Sequence, residues 1–122
     1  MRDHRKLKAF DLADGLALLT YKETRAFPKD ELYGLVSQMR RAAVSVPSNI
    51  VEGCARNTEK DYLRFLDDAY GSAKELGYQA SLARRLGFLE NNGLEEKAAE
   101  VARVLNALIN ALRYGENGRP KA

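Results

Sequence analysis

The sequence is poor in the residues that build covalent or metal-based sites. It contains one cysteine, Cys54, and one histidine, His4, among 122 residues. A single cysteine excludes an intrachain disulfide, and Cys/His zinc sites need several such ligands at fixed spacing. A Cys/His nucleophile pair would have to bring Cys54 to a histidine in the N-terminal tail. We therefore expect no metal, no cofactor, no small-molecule substrate and no enzymatic activity.

Long apolar runs and strand signals are missing as well. No run approaches the roughly 18–20 apolar residues of a membrane span, and the basic N-terminus lacks the apolar segment of a secretory signal. We therefore expect a cytoplasmic protein without membrane contact. The three prolines are sparse, and no Asn-Gly turn stands between alternating apolar runs, which argues against a β-sheet fold.

Apolar residues recur instead at steps of three and four, the spacing of one helix face. Four segments show this pattern and predict helices at about 8–26, 29–56, 58–86 and 93–114. Short connections between long amphipathic helices favour an all-α, antiparallel up-down-up-down four-helix bundle. A three-helix arrangement with the first helix detached is the alternative. The bundle forms a single domain over 1–122, with flexible tails at 1–6 and 115–122.

The segment from Arg40 to Arg56 departs from an ordinary amphipathic helix. Its interior Pro47 removes a backbone hydrogen bond and predicts a kink. A polar line lies nearly opposite the core stripe and consists of Arg41, Ser45, Ser48 and Glu52. Two interpretations stay open at this point. Either the helix is merely kinked and Glu52 pairs with Arg56, or the polar line meets another subunit or a ligand.

This segment also carries a resemblance. RRAAVSVPSNIVEGCAR, followed by YLRFLDDAYGSAKEL and LARRLGFL, resembles the bacterial four-helix-bundle proteins encoded in intervening sequences of 23S rRNA genes. The resemblance covers approximately residues 5–114. The matching positions are Arg41, Ser45, Pro47, Ser48, Asn49, Glu52, Gly53 and Arg56 in the second helix, and Phe65, Leu66, Ala69, Gly71, Ser72 and Glu75 in the third. The sequence departs from the family at Gly77 and Ala80. Gly71 beside Ser72 predicts a close approach of two helices.

The resemblance implies an assembly rather than a reaction. Members of the family look like antiparallel bundles that form rings, usually homopentamers, and no enzymatic activity is established for the family. Similar accessory variability determinant proteins assist the reverse transcriptase of diversity-generating retroelements through a basic surface that binds nucleic acid. The candidate oligomer-interface residues are the motif positions Arg41, Ser45, Pro47, Ser48, Asn49, Glu52 and Gly53. Phe65 and Tyr70 are added because they fall off the core stripe of the third helix, so that a monomer would leave part of their rings in water.

The charge balance permits a nucleic-acid partner without requiring one. Twenty Lys and Arg residues stand against 17 Asp and Glu residues, a formal net charge of +3. Phosphate contacts need basic residues clustered on one face. The candidate contacts with RNA, DNA or a ribonucleoprotein are Arg40, Arg56, Lys60, Arg64, Arg84 and Arg85. The alternative is a scaffold that contacts only proteins and whose exposed charges serve solubility.

Overall fold

The structure, a computed structural model that describes residues 2–115, contains four long helices. They are α1 (Lys8–Thr24), α2 (Ser37–Cys54), α3 (Glu59–Arg85) and α4 (Gly93–Tyr114). Helix α1 packs against α2 and α4, and α3 packs against the same two helices. Successive helices are therefore neighbours, and the predicted antiparallel four-helix bundle is confirmed. The alternative with a detached first helix is wrong. The tail expected at 115–122 lies, beyond Gly115, outside the described residues.

The core follows the apolar stripes of the sequence. Every stripe position of α3 from Tyr62 to Ala83 is buried, and so is the α2 stripe from Met39 to Ile50. In α1 the buried face also includes two threonines. The Thr20 hydroxyl donates to the Leu16 carbonyl at 2.8 Å, and Thr24 donates to the Thr20 carbonyl at 2.7 Å. These bonds satisfy the hydroxyls locally, so two polar residues enter the core without losing hydrogen bonds.

Helix α3 is capped at both ends. The Thr58 side chain accepts a hydrogen bond from the Asp61 amide at 3.1 Å and caps the N-terminus. At the other end Gly87 adopts a φ of 86°, which a residue with a Cβ rarely tolerates. The Gly87 amide donates to the Arg84 carbonyl and the Phe88 amide to the Ala83 carbonyl, both at 2.9 Å. This double pattern is a Schellman motif and turns the chain toward α4.

The expected second helix over 29–56 needs correction at its beginning. The chain forms a 3-10 turn at Lys29–Glu31 and a π-helical turn at Leu32–Val36 before α2 begins. Non-helical dihedral angles occur at Gly34, with φ −108° and ψ −108°. Helix α2 continues through Pro47. The irregularity that the sequence suggested at the proline therefore lies thirteen residues earlier, at the glycine.

Close helix approach occurs at Gly53 and not at Gly71. A Cβ added at Gly53 would lie 3.0 Å from Phe65 Cβ and 3.1 Å from Tyr62 Cδ1, whereas a Cβ at Gly71 would meet nothing within 4 Å. The predicted close approach at Gly71 is therefore wrong. Glycine at position 53 lets the last turn of α2 lie directly against the first turns of α3.

The first residues contact the bundle where a flexible tail was expected. The Arg2 amide donates to the Cys54 carbonyl at 2.9 Å, and its guanidinium lies 4.0 Å from the centre of the Tyr62 ring. A 3-10 turn follows at His4–Lys6, capped by Asp3. Residues 2–6 thus cover the end of the bundle at which α2 passes into α3.

Candidate functional site

A polar groove runs along the outside of the bundle between α2 and α3. It consists of two adjoining cavities of about 570 and 320 Å³ that share Ser45, Ser72 and Glu75. We call this surface the acidic groove. Its residues are Gln38, Arg41, Ala42, Ser45 and Asn49 of α2, and Asp67, Asp68, Gly71, Ser72, Glu75 and Gln79 of α3. Six positions of the sequence motif therefore line one surface: Arg41, Ser45, Asn49, Gly71, Ser72 and Glu75.

Three motif side chains form hydrogen bonds with one another in this groove. The hydroxyls of Ser45 and Ser72 are 2.9 Å apart and share a hydrogen bond across the two helices. Asn49 Nδ2 donates to the Ser45 carbonyl at 2.8 Å and to Ser45 Oγ at 3.0 Å. The Ser45–Ser72 bond holds α2 and α3 in one register, whereas both Asn49 bonds lie within α2 and orient Ser45. Part of the polar motif therefore acts inside the protomer.

The remaining polar line faces solvent. Arg41, Ser48 and Glu52 are exposed on the outer face of α2, and Pro47 is half-buried within the helix. Arg56 lies 5.4 Å from the centre of the Phe65 ring. Among residues 2–115 the expected Glu52–Arg56 ion pair does not form. The outer face of α2 thus keeps its charges available for contact.

The oxygen-bearing side chains of the groove differ in whether they have an ion-pair or hydrogen-bond partner. Asp67 forms an ion pair with Arg113 of α4. Asp68 and Glu75 are exposed and have no ion-pair partner in the described part of the chain. Gln79 is only 7% exposed, and its Oε1 accepts no hydrogen bond within residues 2–115. Asp68, Glu75 and Gln79 Oε1 can therefore each accept a hydrogen bond from a partner.

The opposite flank of α2 carries a surface of different character. Two clefts of about 600 and 320 Å³ lie where α1 ends and the segment before α2 begins. We call this surface the basic corner. The larger cleft is lined by Tyr21, Leu32, Tyr33, Val36, Ser37, Arg40, Arg41, Val44 and Ser45, and the smaller adds Thr24, Arg25, Phe27, Pro28 and Lys29. Among residues 2–115, no carboxylate lines either cleft.

Arg40 has a structural role in this corner. Its Nε donates to Thr24 Oγ1 at 3.0 Å, and its guanidinium lies 4.5 Å from the centre of the Tyr21 ring. A second nitrogen reaches the Tyr21 carbonyl at 3.5 Å. Arg40 thus contacts one carbonyl and one hydroxyl in the last turn of α1, where a cation is also favoured by the helix dipole.

The six candidate phosphate contacts do not share one face. Arg56, Lys60 and Arg64 lie at the turn from α2 to α3, and the Arg64 guanidinium is 4.8 Å from the centre of the Phe65 ring. Arg84 lies about 30 Å farther along α3 at 1.5 Å per residue. It pairs with Glu95, which raises its pKa. Arg85 donates to the Ser81 carbonyl at 3.3 Å. We call Arg56, Lys60 and Arg64 the turn cluster.

The exposed aromatic residues are not those the sequence suggested. Tyr70 is half-buried against the protomer's own core, and Phe65 is half-buried beneath two guanidinium groups. Gly53 is buried inside the α2–α3 packing. Tyr33, at 93% exposure, is the most exposed large apolar side chain within residues 2–115. Its place beside Leu32, just before Gly34, is the signal that sequence reasoning missed.

The cysteine and the histidine are not arranged for catalysis. Cys54 is buried, and burial raises the pKa of its thiol, opposite to the shift that activates a nucleophile. The His4 ring packs edge-on against Phe10 with the ring centres 4.7 Å apart. Within the described range, no three metal-ligating side chains stand together. None of the helices found there is long and apolar enough to cross a membrane.

These features define a four-helix-bundle protein with a polar motif between its second and third helices. Residues 5–110 match the 23S rRNA-intervening sequence protein family, and the chain belongs to that family. A crystal structure of a protein of unknown function from the S23 ribosomal protein family of Bacteroides thetaiotaomicron VPI-5482 has the same fold. It is 19% identical, with a TM-score of 0.75, and the alignment covers 83% of this chain and 94% of that one. No curated protein sequence matches the chain.

Proposed function

We propose that this protein is a non-enzymatic, self-associating helical scaffold of the cytoplasm. The observation that supports this proposal best is the apolar cleft of the basic corner. Leu32, Tyr33 and Val44 leave 48%, 93% and 41% of their surface in water around a cleft of about 600 Å³. Contiguous apolar surface of this kind marks interaction sites in proteins that are otherwise well packed. A second copy of the chain would remove it from water.

Light scattering tests this proposal directly. Family resemblance implies five copies, so the expected mass is five times 13.6 kDa, about 68 kDa. The double variant Leu32→Ser/Tyr33→Ser should shift the mass toward 13.6 kDa while helical circular dichroism stays unchanged. Tyr78→Ser is the matched control, because Tyr78 is also exposed but lies on α3 away from the corner. A wild-type mass of 13.6 kDa at all concentrations would overturn self-association.

The turn cluster supports a second candidate function, contact with RNA, DNA or a ribonucleoprotein. Arg56, Lys60 and Arg64 are exposed, and none has an ion-pair partner in the described chain. Two of their guanidiniums lie beside the Phe65 ring, so aromatic and cationic groups stand together as in single-strand binding surfaces. A ring of copies would repeat the cluster and increase the number of phosphates reached.

An anisotropy titration of labelled single-stranded RNA, single-stranded DNA and duplex DNA tests this second function. Affinity should fall linearly with salt in a log–log plot, with a slope that counts the phosphates engaged. Replacing the three cluster residues with glutamine should reduce both the affinity and the slope. Lys22→Gln, Lys74→Gln and Arg103→Gln together remove the same charge from other exposed positions. Equal loss in both variants, or no binding near 50 mM salt, would exclude the turn cluster.

A further inference from the structure

The surfaces on the two sides of α2 carry opposite charge. The basic corner presents Arg25, Lys29 and Arg41, and in the described part of the chain no carboxylate lines either of its clefts. Asp30 and Glu31 belong to the same 3-10 turn as Lys29 but stand outside both walls. The acidic groove contains three carboxylates, of which Asp67 is paired with Arg113, and it shares Arg41 with the basic corner. The chain therefore carries two faces that complement one another and are not identical.

The charges on both faces are available. Asp68 and Glu75 are exposed and form no ion pair within residues 2–115, and the same holds for Arg25 and Lys29. Available charges of opposite sign on two faces of one chain steer the association of one copy with the next. Like charges would meet if either face docked on itself.

Gln79 adds an observation that does not depend on net charge. Its side chain is more than nine-tenths buried in the wall of the groove, and Oε1 lacks a donor in the described structure. Buried carbonyl oxygens are almost always hydrogen-bonded, because an unpaired one loses its interaction with water without compensation. The hydrogen bond between the Ser45 and Ser72 hydroxyls uses one of their two protons, and neither hydroxyl bonds to Gln79 Oε1. Gln79 therefore places an unused acceptor in the wall of the groove.

We propose that the acidic groove of one copy receives the basic corner of the next copy. The ammonium or guanidinium groups of Lys29 and Arg25 pair with Asp68 and Glu75, and a donor from the same surface reaches Gln79. This inference rests on the self-association proposed above and specifies how it occurs. Because the contact joins two different faces, its repetition generates a closed ring or an open filament rather than a two-fold dimer.

Charge reversal in the full-length chain tests the pairing. Asp68→Lys/Glu75→Lys should dissociate the assembly at low salt, and Arg25→Glu/Lys29→Glu should do the same. Combining all four substitutions in one chain restores complementary faces and should restore the wild-type mass by light scattering. Glu90→Lys/Glu96→Lys is the matched control, since it changes the net charge of the chain by the same amount at exposed positions outside the groove.

The outcomes distinguish a failure of this pairing from a failure of the self-association proposed above. A monomeric wild type overturns self-association itself. An assembly that survives either reversal, or a fourfold variant that stays monomeric although folded, overturns only the pairing of these two faces. If a reversal variant loses its helical circular dichroism, the milder pair Asp68→Asn/Glu75→Gln replaces it. That pair should raise the dissociation constant about tenfold, equivalent to 1.4 kcal/mol, and an unchanged constant contradicts the pairing.

Gln79→Leu tests the buried acceptor separately. Leucine fills a similar volume but accepts no hydrogen bond, so the assembly should weaken while the isolated bundle remains folded. Gln79→Glu keeps an acceptor at the position and should retain the assembly. Equal dissociation constants for Gln79→Leu and the wild type would show that no donor of the neighbouring copy reaches this oxygen.

Discussion

Replacing Gly53 with alanine should destabilise the bundle, although alanine is the better helix former. The added Cβ would lie 3.0 Å from Phe65 Cβ and 3.1 Å from Tyr62 Cδ1, well inside the 3.5–4.0 Å at which carbon atoms attract. Overpacking of this kind costs about 1–3 kcal/mol. The better helix propensity of alanine returns about 1 kcal/mol. We therefore expect a net loss of about 1 kcal/mol in the free energy of unfolding.

Gly15→Ala is the matched control, because Gly15 lies inside α1 and a Cβ there meets nothing within 4 Å. That variant should gain about 1 kcal/mol from helix propensity alone. The two variants should thus differ by about 2 kcal/mol, or about 8 °C in melting temperature for a chain of this length.

Thermal and urea unfolding followed by circular dichroism at 222 nm measure both variants at equal protein concentration, since assembly makes stability depend on concentration. A Gly53→Ala variant as stable as Gly15→Ala would refute the argument. It would mean that α2 and α3 can separate at this turn without loss, so that the contact does not fix their packing.

Three further changes test local features of the bundle. Thr58→Ala removes the acceptor for the Asp61 amide and should cost about 1 kcal/mol in urea unfolding; no change would mean that water caps α3 equally well. Arg40→Met removes the donor to Thr24 and should lower the free energy of unfolding more than Arg103→Met does, since Arg103 is exposed on α4. Burial, more than the nearby thiol, raises the pKa of Tyr62 to about 12. Because the folded chain then keeps a phenolic proton that the unfolded chain releases near pH 10, the free energy of unfolding should fall between pH 10 and 12. Tyr62→Phe should reduce that dependence, and the remainder should come from the buried Cys54 thiol, whose pKa is also raised.

The sequence predicts the bundle well because its apolar spacing is regular. A stripe such as that from Tyr62 to Ala83 leaves one face to bury, and four such stripes with short connections allow few arrangements. The start of α2 could not be predicted in this way. The helical rhythm continues through Leu32 and Val36, yet the structure interrupts the helix at Gly34 and carries it through Pro47. Propensity and apolar spacing are local quantities, and neither reports where the folded chain interrupts a helix.

The candidate surfaces were harder to predict, because they depend on pairs of residues far apart in the sequence. Arg40 looked like a phosphate contact, but it bonds to Thr24, sixteen residues earlier. Arg84 meets Glu95 across the turn from α3 to α4. Polar residues on α3 are spaced by four, three and four positions, as are those of the polar line on α2. They are Asp68, Ser72, Glu75 and Gln79. That spacing can be read from the sequence, whereas only the structure shows that the Gln79 oxygen has no hydrogen-bond donor within residues 2–115.

The motif between α2 and α3 explains how internal packing and external contact are linked in this bundle. Gly53 sets the distance between the two helices at one end, and the Ser45–Ser72 hydrogen bond sets their register near the middle. A groove wall made of separate helices has a defined shape only when their distance and register are both held. The side chains that would contact a partner, Asp68 and Glu75, extend from α3 on either side of Ser72. The motif therefore contributes to the surface mainly by holding α2 and α3 in place, and with them the positions of the two carboxylates.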